Sequence, residues 1–218
     1  MQLIPVPLSE IPTLAQLYRD SVLHPPVSAK RSCHASLLDR VSLYQGDITR
    51  LKIDAIVNAA NKSLLGSGEG VDGAVHKAAG PGLFSECRRL RGCPTGRAKL
   101  TRGYDLPACC IIHTVGPAYN SFEGQDYATQ LASCYKLSLE IAASNSLRHI
   151  AFPAISAGRF CYPIDEASHI ALNEIREFCL SEAGKKLERI ILVAFRESAY
   201  EVYKSIIPEY FPPSERAE

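Results

Sequence analysis

Short apolar runs that alternate with longer amphipathic segments leave this chain few folds to choose from. The runs are Val41–Tyr44, Ala55–Asn58, Ala98–Thr101, Cys109–Val115, His149–Pro153 and Ile190–Phe195. Helical patterns cover Val71–Ala79, Pro81–Arg91, Gln125–Ser144, Asp165–Cys179 and Ser198–Ile206. In the longest of them, Leu131, Tyr135, Leu139 and Ala142 recur at three- and four-residue spacings, the period of an amphipathic helix. Strands alternating with helices build a sheet covered on both faces, so the expected fold is α/β in three layers. In such sheets ligands bind beyond the strand ends.

The flanks read differently. Residues 1–40 are expected to be an N-terminal extension packed on a domain spanning 41–211, with 212–218 a flexible tail. Ser9 is expected to cap a short helix carrying Leu14, Leu17 and Tyr18, before Pro25–Pro26 breaks the periodicity. Among 218 residues, 24 are basic and 23 acidic, for a formal net charge of +1. That balance gives no footprint for nonspecific nucleic-acid binding, so an anionic ligand has to be caught locally. No apolar stretch approaches the ~20 residues that span a bilayer. The 8 cysteines include no CxxC pair and no Cys/His cluster with ligand spacing, which points to free thiols in a reducing compartment and to no metal. A cytoplasmic or nuclear monomer is expected.

The chemistry concentrates between Gly46 and Gly80. The run ending at Asn58 and Asn61 leads into a loop with Gly66, Gly68 and Gly70, and Asp72 then opens a helix. A strand, a glycine loop and a helix start present backbone N–H groups to a phosphate. A second small-residue loop, Ile155, Ser156, Ala157, Gly158, follows the run His149–Pro153 and leads through Pro163 into a helix with Asp165 and Glu166 in its first turn. Two such loops from two strands suit one diphosphate, the second helix opening adding N–H groups. Asp72 is a candidate general base, or else a helix N-cap. His76 lies four residues on, so the two share a helix face. Asp47 closes the first run and could simply cap the turn after it; Phe195 ends the last and could simply be core.

Six segments in order carry a resemblance: GDIT (Gly46–Thr49), DAIVNAAN (Asp54–Asn61), VDGAVHKAAG (Val71–Gly80), GYDLPA (Gly103–Ala108), IIHTVGP (Ile111–Pro117) and AFPAISAG (Ala151–Gly158). With them the sequence resembles a macrodomain of the MacroD type, a branch of the ADP-ribosyl-acceptor hydrolases. The resemblance implies an α/β/α sandwich about a mixed sheet, with ADP-ribose and ADP-ribosylated proteins as ligands and no cofactor. It implies catalytic roles for Asn61, which orients the distal ribose, for Asp72, which activates or positions water, and for His76. It also implies that Asp47 and the Ile48 N–H read the adenine, that Phe195 lies against its face, and that Phe160 packs on the ribose. Asn58, Gly68, Gly70, Val71, Ser156, Ala157, Gly158 and Arg159 complete the expected binding set. His113 is expected to hydrogen-bond behind the site, outside the catalytic set.

The implied activity is removal of mono-ADP-ribose from acidic side chains, with deacetylation of O-acetyl-ADP-ribose at the same site. A non-catalytic ADP-ribose reader and an ADP-ribose phosphate phosphatase are the alternatives. Where MacroD-type enzymes usually carry four consecutive glycines, this chain has GSGEG, one residue longer. A carboxylate at ~6 Å from a phosphate costs roughly 3 kcal/mol at an effective dielectric of 20, before screening. Arg159 stands where an apolar residue is more usual, and we expect it either to reach Glu69 across the cleft and latch the two loops or to contact phosphate directly.

Overall fold

The structure, a computed structural model, describes residues 4–27, 30–119 and 126–214. Its strands are β1 (Val6–Pro7), β2 (Val41–Gln45), β3 (Leu51–Lys52), β4 (Ala55–Ala59), β5 (Ala98–Arg102), β6 (Cys110–Thr114), β7 (His149–Pro153) and β8 (Arg189–Ala194). Its helices are α1 (Leu14–Arg19), α2 (Ala35–Leu38), α3 (Gly70–Ala79), α4 (Pro81–Leu90), α5 (Tyr127–Ser144), α6 (Ile164–Leu180) and α7 (Glu197–Tyr210). Six strands form the central sheet in the order β2-β8-β7-β4-β6-β5, while β1 and β3 make a separate parallel pair. Only β5 runs antiparallel in the central sheet.

Alternation along the strands divides the core into two. Ala55 and Val57 of β4, with Ile190 and Leu192 of β8, face a cluster built with α5, α6 and α7. Ile56 and Ile191 face the opposite cluster, built with Val75 of α3 and Leu83 of α4. Both faces are covered, which is why the strands read as continuous apolar runs. The fold is the three-layer α/β/α sandwich with a mixed sheet.

Because β2, β8, β7, β4 and β6 are mutually parallel, their C-terminal ends emerge along one edge. Every loop with candidate chemistry leaves from that edge.

Several boundaries differ from expectation. Thr13, not Ser9, caps α1: Gln16 N donates to Thr13 Oγ1 at 3.1 Å and Thr13 N donates to Gln16 Oε1 at 2.8 Å. This reciprocal box satisfies two backbone donors, which Ser9, in a 3-10 turn over Leu8–Glu10, does not. Helix α7 continues past Ile206 to Tyr210 with Pro208 inside it. A proline in the last turn removes one donor, and burial of Ile207, Tyr210 and Phe211 offsets that loss. Phe195 lies one residue beyond β8. Gln125 and residues 215–218 of the expected tail fall outside the described residues.

Candidate functional site

The first loop is shaped by Asn61. Its Oδ1 accepts from Ser63 N (2.9 Å), Ser63 Oγ (2.6 Å) and Leu64 N (3.0 Å), an Asx-type turn that turns the chain back after β4. Leu64 sits fully buried with φ 62°, anchoring the loop in the core. Asn61 Nδ2 donates to the Gly66 carbonyl at 3.1 Å. Gly68 and Gly70 adopt φ of +76° and +61°, and a Cβ on either would meet nothing within 4 Å, so the backbone there faces open space. The N-cap of α3, Glu69, makes no side-chain cap, leaving the helix's first N–H groups for a ligand. Gly73 lets the helix close on the loop: a Cβ there would lie 2.5 Å from the Gly68 carbonyl carbon.

Asp72 is not the cap. It sits in the first turn of α3, 4% exposed, with both oxygens engaged. Asn58 Nδ2 donates to Oδ1 at 2.8 Å, and Asn61 Nδ2 lies 3.4 Å from Oδ2. His76 Nε2 stands 3.7 Å from Oδ1, beyond a hydrogen bond, and is buried with no partner among the described residues. Asn58, expected to touch ligand, is wholly buried and instead aims Asp72. Its second amide hydrogen points to His113 Nδ1 at 3.1 Å. With Nδ1 accepting, the His113 proton sits on Nε2 and is donated to Thr101 Oγ1 at 2.9 Å. Burial, then the nearby His76, lowers the His113 pKa from 6.5 to about 3, so this ring is neutral. A chain Thr101–His113–Asn58–Asp72 thus runs from the sheet to the carboxylate.

The fold also gathers what sequence spacing did not: His76, Cys87 and His113 offer donor atoms within 4.8 Å of one another. Their geometry suits hydrogen bonding better than metal binding. His113 Nε2 carries the proton just assigned, and Cys87 Sγ lies 3.8 Å from it. Burial pushes the Cys87 thiol up to about 11, away from the thiolate a metal takes.

A cavity of about 490 Å³ opens in front of Asp72, within the range of small-ligand sites. Asn61, Gly70, Val71 and Asp72 line it from the first loop and α3; Ser156, Gly158, Arg159 and Phe160 line it from the second. Gly68, Ala157 and His76 belong to the same elements without lining it. The expected contribution from the opening of α6 is not seen: among the described residues, none of Pro163, Ile164, Asp165 and Glu166 lines the cavity. Ser156 holds φ 63° with its Oγ buried and unpartnered among the described residues. Arg159 Nη1 reaches Glu69 Oε2 at 3.4 Å, joining the two loops as expected. Both side chains are largely exposed, so the pair contributes under about 1 kcal/mol.

At the far end of the same edge, Gly46 N donates to the Ala194 carbonyl at 3.0 Å, which sets Asp47 and Phe195 side by side past the ends of β2 and β8. Asp47 does cap the following turn, its Oδ1 accepting from Thr49 N (2.9 Å) and Thr49 Oγ1 (2.7 Å). Ile48 is buried, and Phe195 is 77% exposed rather than core.

Sequence reasoning missed Ala59, Ala60, Gly116 and Ala154, the small residues lining the cavity at the strand ends. A Cβ on Gly116 would meet the Ile155 side chain at 2.8 Å and clash harder with Ser156 Oγ. Their shared smallness at the ends of β4, β6 and β7 was the available signal.

Comparison with known proteins gives concordant results. The family described as Macro domain matches residues 57–171. A Xenopus laevis protein named ADP-ribose glycohydrolase MACROD2 is 46% identical over 208 residues, 95% of this chain and 49% of its own length. The chain therefore spans about half the length of that relative. The macro domain of ganglioside induced differentiation associated protein 2 superposes with a TM-score of 0.88 at 31% identity, covering 98% of this chain and all of that one. A Trypanosoma brucei macrodomain in complex with ADP-ribose gives 0.78 at 36% identity, over 94% of this chain and 78% of that one.

Proposed function

This chain belongs to the macrodomain family, and from that membership we propose that it is a hydrolase that removes mono-ADP-ribose from acidic side chains of proteins. The bond cleaved is the ester at the distal ribose, and O-acetyl-ADP-ribose, also a carboxylic ester of that ribose, is a second substrate. The observation that carries this reading is a buried carboxylate, Asp72, aimed by two carboxamides and opening onto the cavity. A reader needs the cavity; it does not need a fixed base at its wall.

In this reading the two loops hold the pyrophosphate through backbone N–H groups, while Ser156 Oγ, buried and without a partner among the described residues, supplies a further donor. Asp47 and the Ile48 N–H take the adenine edge, and the exposed Phe195 ring covers its face. Phe160 and Asn61 hold the distal ribose against Asp72. Asp72 activates or positions water, which adds as the carboxylate leaves. His76 Nε2, 3.7 Å from Asp72 Oδ1, borders that side chain without a hydrogen bond to it. The Arg159–Glu69 pair draws the loops together over the ligand and partly neutralises the Glu69 charge on the cavity wall.

Single-turnover release of ADP-ribose from a glutamate-modified protein tests the proposal. Asp72→Ala should slow release by about 10²–10⁴-fold, while calorimetry shows free ADP-ribose still bound. Glu69 on the cavity wall favours one rival, a reader. Tight binding with no release by the wild type would establish that rival.

A further inference from the structure

A second cavity, of about 550 Å³, adjoins the first and shares Gly116 and Phe160 with it. Lys62, the exposed neighbour of Asn61, lines it. Lys62 is held at its backbone: Cys93 N donates to the Lys62 carbonyl at 2.9 Å, which brings the adjoining Pro94 and Thr95 alongside. A Cβ on Gly92 would lie 2.6 Å from that carbonyl oxygen, so the approach is built into the chain. Helix α5 contributes Tyr127 and Gln130. Among the described residues the lining has one formal charge, the Lys62 ammonium, and no carboxylate.

We propose that this cavity is the acceptor subsite, receiving the peptide segment that carries the modified acidic residue. The inference rests on the hydrolase reading above. That substrate has two parts joined at the distal ribose, and the joint must lie at Asp72 and Asn61. Whatever lies beyond the ester leaves the nucleotide cavity past the residues nearest that joint. The second cavity begins at those residues: Lys62 adjoins Asn61, and Phe160 and Gly116 belong to both spaces. Hydrolysis consumes one water and yields a free carboxylate on the peptide, a hydroxyl on ADP-ribose and one proton. The Lys62 ammonium, with no carboxylate beside it among the described lining residues, suits that new anion and acidic residues flanking it. The apolar remainder, Pro94, Val115, Pro117 and Tyr127, suits backbone and aliphatic side-chain stems.

The test compares two carboxylic esters of the distal ribose, a glutamate-ADP-ribosylated protein and O-acetyl-ADP-ribose, which carries no peptide. Lys62→Glu reverses the charge, and Ala118→Trp, at an exposed lining position, fills the space. Thermal melts verify that both variants fold. For each variant, kcat/KM on the modified protein should fall about tenfold or more, chiefly through KM. On O-acetyl-ADP-ribose it should stay within about twofold, as should the Kd for free ADP-ribose. Equal losses on both substrates, or no loss on either, would overturn the subsite. If the wild type cleaves neither substrate, the hydrolase reading falls and binding alone decides the subsite. An ADP-ribosylated peptide that binds tighter than free ADP-ribose, with the gain lost in Lys62→Glu, supports it; equal affinities overturn it.

Discussion

Asn58 has one amide group and two acceptors to serve, and the arrangement works only while His113 stays neutral. Nδ2 gives one hydrogen to Asp72 and the other to His113 Nδ1. A protonated ring would present N–H to that amide and turn it away from the carboxylate. Burial holds the His113 pKa near 3 against 6.5 when unfolded, so the unfolded chain takes the proton first as pH falls. The stability this ring contributes is complete above about pH 6.5 and declines as pH drops toward 3, by up to about 1.4 kcal/mol per pH unit. Urea unfolding from pH 7 to pH 5 should therefore show a shallower decline for His113→Gln than for wild type; parallel curves would refute the account. The same variant should lower kcat more than it raises KM, because it misaims Asp72 without touching ligand.

Helix α3 begins where two requirements conflict. An ordinary first turn would favour a good helix former at residue 73, and Gly→Ala there gains about 1 kcal/mol by propensity alone. The loop forbids it, since the new Cβ would sit 2.5 Å from the Gly68 carbonyl carbon. Gly73→Ala should therefore push the loop outward and weaken ADP-ribose binding by about tenfold or more, a cost above 1.4 kcal/mol. Calorimetry on the variant decides between steric and propensity control, because propensity predicts undiminished binding. At this scale the sequence was informative: the alternating runs located every central strand within a residue or two. The Gly73 constraint was invisible, because it depends on how closely a helix end meets a loop five residues earlier.

The first 40 residues are joined to the rest by core and by charge. Leu14, Leu17, Leu23 and Leu37 are buried in the same cluster as Tyr203 and Phe211. Arg176 of α6 is 2% exposed and ties both ends of the chain, donating to the Ser32 carbonyl and to the Tyr210 carbonyl, each at 2.6 Å. Its guanidinium also lies 5.8 Å from the centre of the Phe211 ring. Arg176→Ala takes the donor from two carbonyls, that of Tyr210 buried, and opens a void. It should cost roughly 3–5 kcal/mol, read as a lowered urea midpoint. Arg176→Lys should recover part of that loss, since an ammonium replaces one donor but not the fork.

Local order in this protein was set by sequence alone. Alternation of apolar runs and amphipathic segments dictates a covered sheet, and the glycines of Gly66–Gly70 dictate a backbone open to an anion, though the cap of α1, read at Ser9, stands at Thr13. Such features act over a few residues, so spacing carries them. Which groups face the ligand was decided only by the tertiary structure. It turned Asn58 inward, set His113 and Thr101 behind it, brought Cys87 to His76, and joined two cavities at Gly116 and Phe160. Those contacts join residues from 12 to more than 50 positions apart, on different elements. Their alignment depends on strand register and helix packing, which no local pattern records.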